Sequence, residues 1–286
     1  MVEALWYTPA VRAVICRLCP RQCVISVGRV GACGVRKNIQ GKLTPLNYAL
    51  VTAIANDPIE KKPLAYFNPG SMIVSLGSFG CNMQCVHCQN SEISQCAGKP
   101  AQAQQFTLND LTYLVREKQL AQIAFTYNEP LVWYEYVLEA SKRLKQSGVQ
   151  MVLVSNGYIN PEPLRELLPY TDAWSLDIKW AFDATAQKLS GVPKAQPVLD
   201  TARAIHAARK HLEIVTNIVP GFNDSMEELQ HIAQCIAGIS PDIPWHVSRA
   251  FPKYKWQGDP TSMSILEAAV EIGHNAGLKY VQKGNV

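Results

Sequence analysis

The sequence predicts an α/β protein: parallel βα units closed or partly closed as a barrel, with a small cysteine-rich module in front. Three observations carry this. From residue 72 onward, short β-branched runs alternate with amphipathic segments of helical length. Before residue 60 that rhythm is absent, and "CRLCPRQCVISVGRVGACGVRKNIQGKL" is rich in Cys, Gly and Arg with no helical period. Every run in the second part is also followed by polar or reactive residues.

In chain order, residues 1–60 read as a metal-stapled module of turns and hairpins. "NDPIEKKPLAYFNPGS" (56–71), with three prolines, reads as an irregular connection. The barrel, 61–286, has strand candidates at 72–76, 123–126, 151–154, 173–176, 212–219, 245–247 and 278–281. Helix candidates lie between or after them at 107–119, 130–146, 161–168, 183–190, 197–209, 225–238 and 262–275. Thr107 with Asp110 forms a capping box, and Pro161 and Pro163 suit a first helical turn.

Composition narrows the function classes. The 286 residues are 48% hydrophobic and 17% charged, with a net charge of +4. That mild basicity permits an anionic substrate or a nucleic-acid partner and indicates neither. No run of 18 apolar residues is present, so no membrane span is expected. The opening "MVEALWYTPA" lacks a basic n-region and an apolar h-region, so no signal peptide is expected and a cytoplasmic location follows. There the nine cysteines point to metal or catalysis rather than to disulfides.

The chemistry concentrates at strand ends, where barrel enzymes place their active sites. In order these carry "GCNMQCVHC", "TYNEP", "SNG", "DIK", "PGFND", "WHVSRAFP" and "KGN". The first has Cys81, Cys85 and Cys88 on one short loop. Closed structural sites use four ligands, so three thiols suggest an iron–sulfur cluster with one open position. Cys16, Cys19, Cys23 and Cys33 supply a second set that fits a structural Zn2+ or a second iron–sulfur cluster, with zinc favoured slightly. Arg17, Arg21, Arg29 and Arg36 would offset their charge, while Cys96 and Cys235 read as packed residues.

The Cys-x3-Cys-x2-Cys loop resembles the signature of the radical S-adenosylmethionine (SAM) superfamily, over about residues 70–286. The resemblance implies a partial (βα)6-type barrel. It also implies a [4Fe–4S] cluster whose unique iron is chelated by SAM, reductive cleavage of SAM to a 5′-deoxyadenosyl radical, and hydrogen abstraction from a substrate. Within the superfamily the chain resembles the glycyl-radical-enzyme activases. That likeness implies SAM contacts from His87, from Asn128 and Glu129 of "TYNEP", from Ser155 and Asn156 of "SNG", from Asp177 and Lys179 of "DIK", and from His246. A reductant such as flavodoxin or ferredoxin is implied as well. "CRLCPRQCVISVGRVGACGVR", "PIEKKPLAYFNPGS" and "YVQKGNV" resemble the radical SAM member of the AmmeMemoRadiSam system, implying Memo-like and AMMECR-type partners. The leading expectation is a SAM-cleaving enzyme with an unidentified substrate. An activase that installs a glycyl radical on a partner protein is one alternative, and a non-catalytic metal-binding interaction module is the other.

Overall fold

The computed structural model describes residues 2–96 and 98–286; Met1, where the expected first module begins, lies outside them. The chain forms two compact units. The first comprises Met1–Pro58, Ser71–Asn82 and Asn90–Ala173, the second Ile59–Gly70, Met83–Gln89 and Trp174–Val286.

The first unit opens with an antiparallel meander of β1 (Tyr7–Ala10), β2 (Ala13–Cys16) and β3 (Val24–Ser26). A hairpin of β4 (Arg36–Ile39) and β5 (Lys42–Pro45) follows. β6 (Leu50–Val51) leads to β7 (Ala53–Pro58), β8 (Met72–Gly77), α1 (Ser91–Ser94), β9 (Gln104–Gln105), α2 (Leu108–Glu117), β10 (Gln122–Phe125), α3 (Tyr134–Lys145), β11 (Gln150–Ser155) and α4 (Pro161–Leu167). β8, β10 and β11 run parallel, with Phe125 opposite both Leu76 and Leu153; β7 is antiparallel to β8. β10 is buried throughout, as expected of a parallel strand covered on both faces. Trp133 stacks on Tyr136 at 4.4 Å, and Phe125 meets both rings edge-on.

The second unit carries β12 (Ala173–Asp177), α5 (Asp183–Ser190), α6 (Gln196–Ala207), β13 (His211–Ile218), α7 (Met226–Ala237), β14 (Trp245–Arg249), α8 (Met263–Asn275) and β15 (Val281–Gly284). β13, β14 and β15 are parallel and β12 lies next to β13. Among the described residues, no helix is long and apolar enough to cross a membrane.

The α/β architecture with a mostly parallel sheet agrees with the sequence reading, and the Thr107–Asp110 capping box is present. Four details differ. The expected boundary at residue 60 does not follow the compact units: residues up to Pro58 belong with β8 to β11. Pairing of β7 with β8 joins these segments, and so does a buried ion pair in which Arg36 binds Glu135 of α3 at 2.9 and 3.1 Å. Part of the connection expected to be irregular is β7, whose residues alternate half-buried and exposed; Pro58 is tolerated at its end. The helix expected at 130–146 starts with a 3-10 turn, Pro130–Trp133. The last strand begins at Val281 and not at 278, because Leu278 N donates to Gly273 O and so closes the end of α8.

Candidate active site: a three-cysteine loop and a four-thiol cavity

The first unit holds one end of the cysteine loop. After β8 the backbone is fixed by side chains: Asn128 Oδ1 accepts from Ser78 N at 2.9 Å, and Asn128 Nδ2 donates to Gly80 O at 3.1 Å. Gly80 sits at φ +88°, and a Cβ there would lie 2.5 Å from Val35 Cγ1 and 2.8 Å from Cys33 O. Only glycine fits that backbone and that gap. Glu129, almost fully buried, accepts from Ser155 Oγ (2.7 Å), Leu131 N (2.9 Å) and Asn156 N (2.8 Å). Asn156 Nδ2 in turn donates to Asn82 Oδ1 at 2.9 Å and lies 3.6 Å from Cys81 Sγ. The ends of β8, β10 and β11 thus bring together Cys81, Asn128, Glu129, Ser155 and Asn156. Asn82 joins them unforeseen; inside "CNMQC" it carried no motif signal.

The four N-terminal cysteines meet in the same unit. Cys16, Cys19, Cys23 and Cys33 line one cavity with Arg21, Arg36 and Asn82. Burial, reinforced by the neighbouring thiols, pushes the free Cys19 thiol up to about 12. The Arg36 fork is occupied, since Nη1 and Nη2 bind Glu135 and Nη2 also donates to Leu5 O. Its buried Nε has no acceptor.

The second unit holds the rest of the loop. Gln84 N and Val86 N donate to Ser190 O and Leu189 O at the end of α5, and Val86 O accepts from Lys255 N and Trp256 N. "FPKYKW" therefore serves the loop through its backbone. Cys85 Sγ donates to Ser190 Oγ at 3.1 Å. Burial raises the Cys85 thiol pKa, and the nearby Lys179 ammonium opposes that rise. Lys179 Nζ pairs with Asp177 Oδ2 at 2.6 Å. His87 is buried with Nδ1 unpaired, and desolvation with some help from Lys179 pushes it down to about 3, so the ring is neutral at ordinary pH. The unit brings Cys85, His87, Asp177 and Lys179 into one electrostatic neighbourhood.

His246, which the resemblance implies as a SAM contact, is paired with a buried carboxylate. It is the second residue of β14, and its Nε2 is 2.7 Å from Glu213 Oε2. Glu213 also binds His211 Nε2 (2.8 Å), Ala65 N and Tyr66 N. The imidazole is engaged near the start of the strand, about 10 Å below its C-terminal end. Burial would raise the Glu213 pKa, but hydrogen bonds, from His211 first, hold it down to about 2. Among the described residues, no three Cys, His, Asp or Glu side chains are gathered to hold a single metal ion.

Residues 76–236 match the Radical SAM superfamily, so the chain belongs to that superfamily and is an enzyme. It is 37% identical over its whole length, and over 86% of the relative's, to the uncharacterized protein MJ0808 of Methanocaldococcus jannaschii. It is 23% identical to the isethionate sulfite-lyase activating enzyme of Oleidesulfovibrio alaskensis, over 53% of each chain, so it spans about half that relative's length. In fold it is similar to a radical SAM methyltransferase from Sphaerobacter thermophilus, with a TM-score of 0.57 at 13% identity, covering 77% of this chain and 68% of that one.

Proposed function

We propose that the chain holds a [4Fe–4S] cluster on Cys81, Cys85 and Cys88 and binds SAM beside it, to abstract hydrogen from a substrate. When bound, cluster and SAM together supply a 5′-deoxyadenosyl radical by reductive cleavage of a sulfonium C–S bond. The observation that carries this reading is the Cys81, Cys85 and Cys88 spacing on the loop after β8, within residues 76–236 that match the superfamily. Lys179, held by Asp177 at 2.6 Å, supplies a cation that suits the SAM carboxylate.

The remaining roles follow from the chain's own contacts. In the first unit Glu129 orients Asn156 and offers negative charge to the SAM ammonium. Asn156 donates toward Cys81 Sγ, Ser155 supports the same turn, and Asn128 sets the path of the loop. In the second unit the neutral His87 ring suits an adenine face. His246 is left out, since Glu213 occupies its Nε2. The four N-terminal cysteines form a separate metal–thiolate site.

Likeness to the activating enzyme of Oleidesulfovibrio alaskensis supports a glycine of a partner protein as the hydrogen donor, with a flavodoxin- or ferredoxin-type reductant. The matching stretches at both chain ends support Memo-like and AMMECR-type partners. The test is anaerobic incubation of the reconstituted protein with SAM and dithionite. Methionine and 5′-deoxyadenosine should form slowly without added substrate. Their formation by a Cys81→Ala/Cys85→Ala/Cys88→Ala variant would sink the proposal.

A further inference from the structure

The stretch after β14, "FPKYKWQG" (251–258), does more than hold the cysteine loop by its backbone. It closes into a tight antiparallel turn, with Lys253 N donating to Trp256 O at 3.0 Å and Trp256 N to Lys253 O at 3.2 Å. Gln257 Nε2 donates to Tyr254 O at 2.9 Å. Trp256 is buried, and a Cβ on Gly258 would lie 2.7 Å from its Nε1, so the chain folds closely over that ring. Lys255 N and Trp256 N both donate to Val86 O at 3.0 Å, which fixes the turn to the loop between Cys85 and Cys88.

The tip displays side chains at a conformational cost. Tyr254 has φ +59°, a left-handed backbone that bulky residues rarely adopt and that glycine or asparagine adopts more easily. Its ring is 36% exposed, with Lys255 Nζ 5.2 Å from the ring centre. Phe251 is 43% exposed, with the Arg249 guanidinium 5.0 Å from its ring centre. Both cations are within range of attraction to a ring face. Neither ring belongs to the buried core, so the strain at the tip is not repaid by packing. Aromatic rings beside cations are what the centre of a protein interface favours.

Charge indicates what covers this surface. Among the described residues, Arg249, Lys253 and Lys255 form no ion pair, and Asp259 is the one acid between residues 249 and 260. A single-stranded nucleic acid needs a longer cationic track along its backbone than these groups give. A short protein segment that mixes carboxylates with apolar side chains matches the cations and the rings together.

We propose that residues 249–256 are the docking surface for an acidic segment of a partner protein, held beside the cysteine loop. Tyr254 and Phe251 take its apolar side chains, and Arg249, Lys253 and Lys255 take its carboxylates. This rests on the reading above in which a partner protein donates the hydrogen, but docking is a separate event and is measured separately.

The test is fluorescence anisotropy with the full, cluster-loaded chain, in the absence of SAM and reductant. The probe is a labelled peptide with a central glycine flanked by glutamates and leucines. Its glutamine analogue and a single-stranded RNA of equal length are the comparisons. The acidic peptide should bind about tenfold more tightly than the glutamine analogue, and added salt should narrow that gap. Lys253→Glu/Lys255→Glu should abolish the preference. Tyr254→Asn should weaken both peptides several-fold while the melting temperature holds or rises, because asparagine tolerates the left-handed backbone. Equal affinity for the two peptides, or binding of neither, would overturn the proposal. Tighter binding of the RNA than of the acidic peptide would overturn it in favour of nucleic acid. A Tyr254→Asn variant with full affinity, or one that melts lower, would reduce the tyrosine to a part of the fold. No SAM is cleaved in this assay, so lost docking leaves the SAM-cleavage reading intact, and absent 5′-deoxyadenosine leaves docking intact.

Discussion

The two thiol sites are fixed by different forces. The four-thiol cavity of the first unit is enclosed by side chains, and its stiffest part is the buried Arg36–Glu135 pair, 1% and 2% exposed. The loop segment of the second unit is held by backbone, through Gln84 and Val86 on the end of α5 and through Lys255 and Trp256 on Val86. Where side chains do the fixing, as at Arg36 and Glu135, one substitution strands a buried charge. Where backbone does it, as at Gln84 and Val86, side-chain changes leave the hydrogen bonds in place.

Mutations can break that contrast. The largest effect is expected from Cys85→Ala, which should reduce 5′-deoxyadenosine formation with dithionite to background. Cys19→Ala should retain activity with that chemical reductant, provided the protein folds. Equal loss in both variants, measured by product chromatography, would erase the distinction. Next comes Glu135→Ala, which strands the Arg36 guanidinium and should cost about 3–5 kcal/mol in thermal or denaturant unfolding. Metal should leave the four-thiol site first.

A third test acts on the second unit alone. Glu213 has its pKa held at about 2, below the usual carboxylate range, so its contribution is fully present above about pH 4.5 and is lost as pH falls toward 2. The drop across that window should be about 3 kcal/mol in acid-unfolding curves, and Glu213→Gln should remove it. The smallest effect is expected for Lys179→Ala, where losing a charge-assisted bond of roughly 1.5–3 kcal/mol should weaken SAM binding about 10- to 150-fold with iron content unchanged. Calorimetry on the anaerobic protein checks this, and unchanged affinity would leave Lys179 as the ion-pair partner of Asp177 alone.

Local signals in the sequence were legible and distant ones were not. Strand starts, helix limits, the Thr107 cap and the cysteine spacings are encoded within a few residues of each other. Arg36 and Glu135 lie 99 positions apart, and nothing near either names the other. Glu213 stands inside the apolar run "LEIVTNIV", where alternation shows that it shares a face but not that His246 sits opposite. The motif places His246 at SAM, and its contact with Glu213 is invisible to any local signal. Ser190 and Asn82 carry no local signal for the same reason, as their partners come from other elements.

Gly80 carries a consequence for how such a chain can change over generations. Its missing Cβ is the space into which Val35 and the Cys33 carbonyl fit, so the residue before Cys81 is shaped by the residues beside Cys33. An exchange of the first sixty residues with those of a distant relative would set a foreign side chain against that gap. The two cysteine sets must then be inherited together, and viable recombination breakpoints should avoid the stretch between residues 36 and 80. A library of chimaeras scored for folded, iron-loaded protein would show the gap.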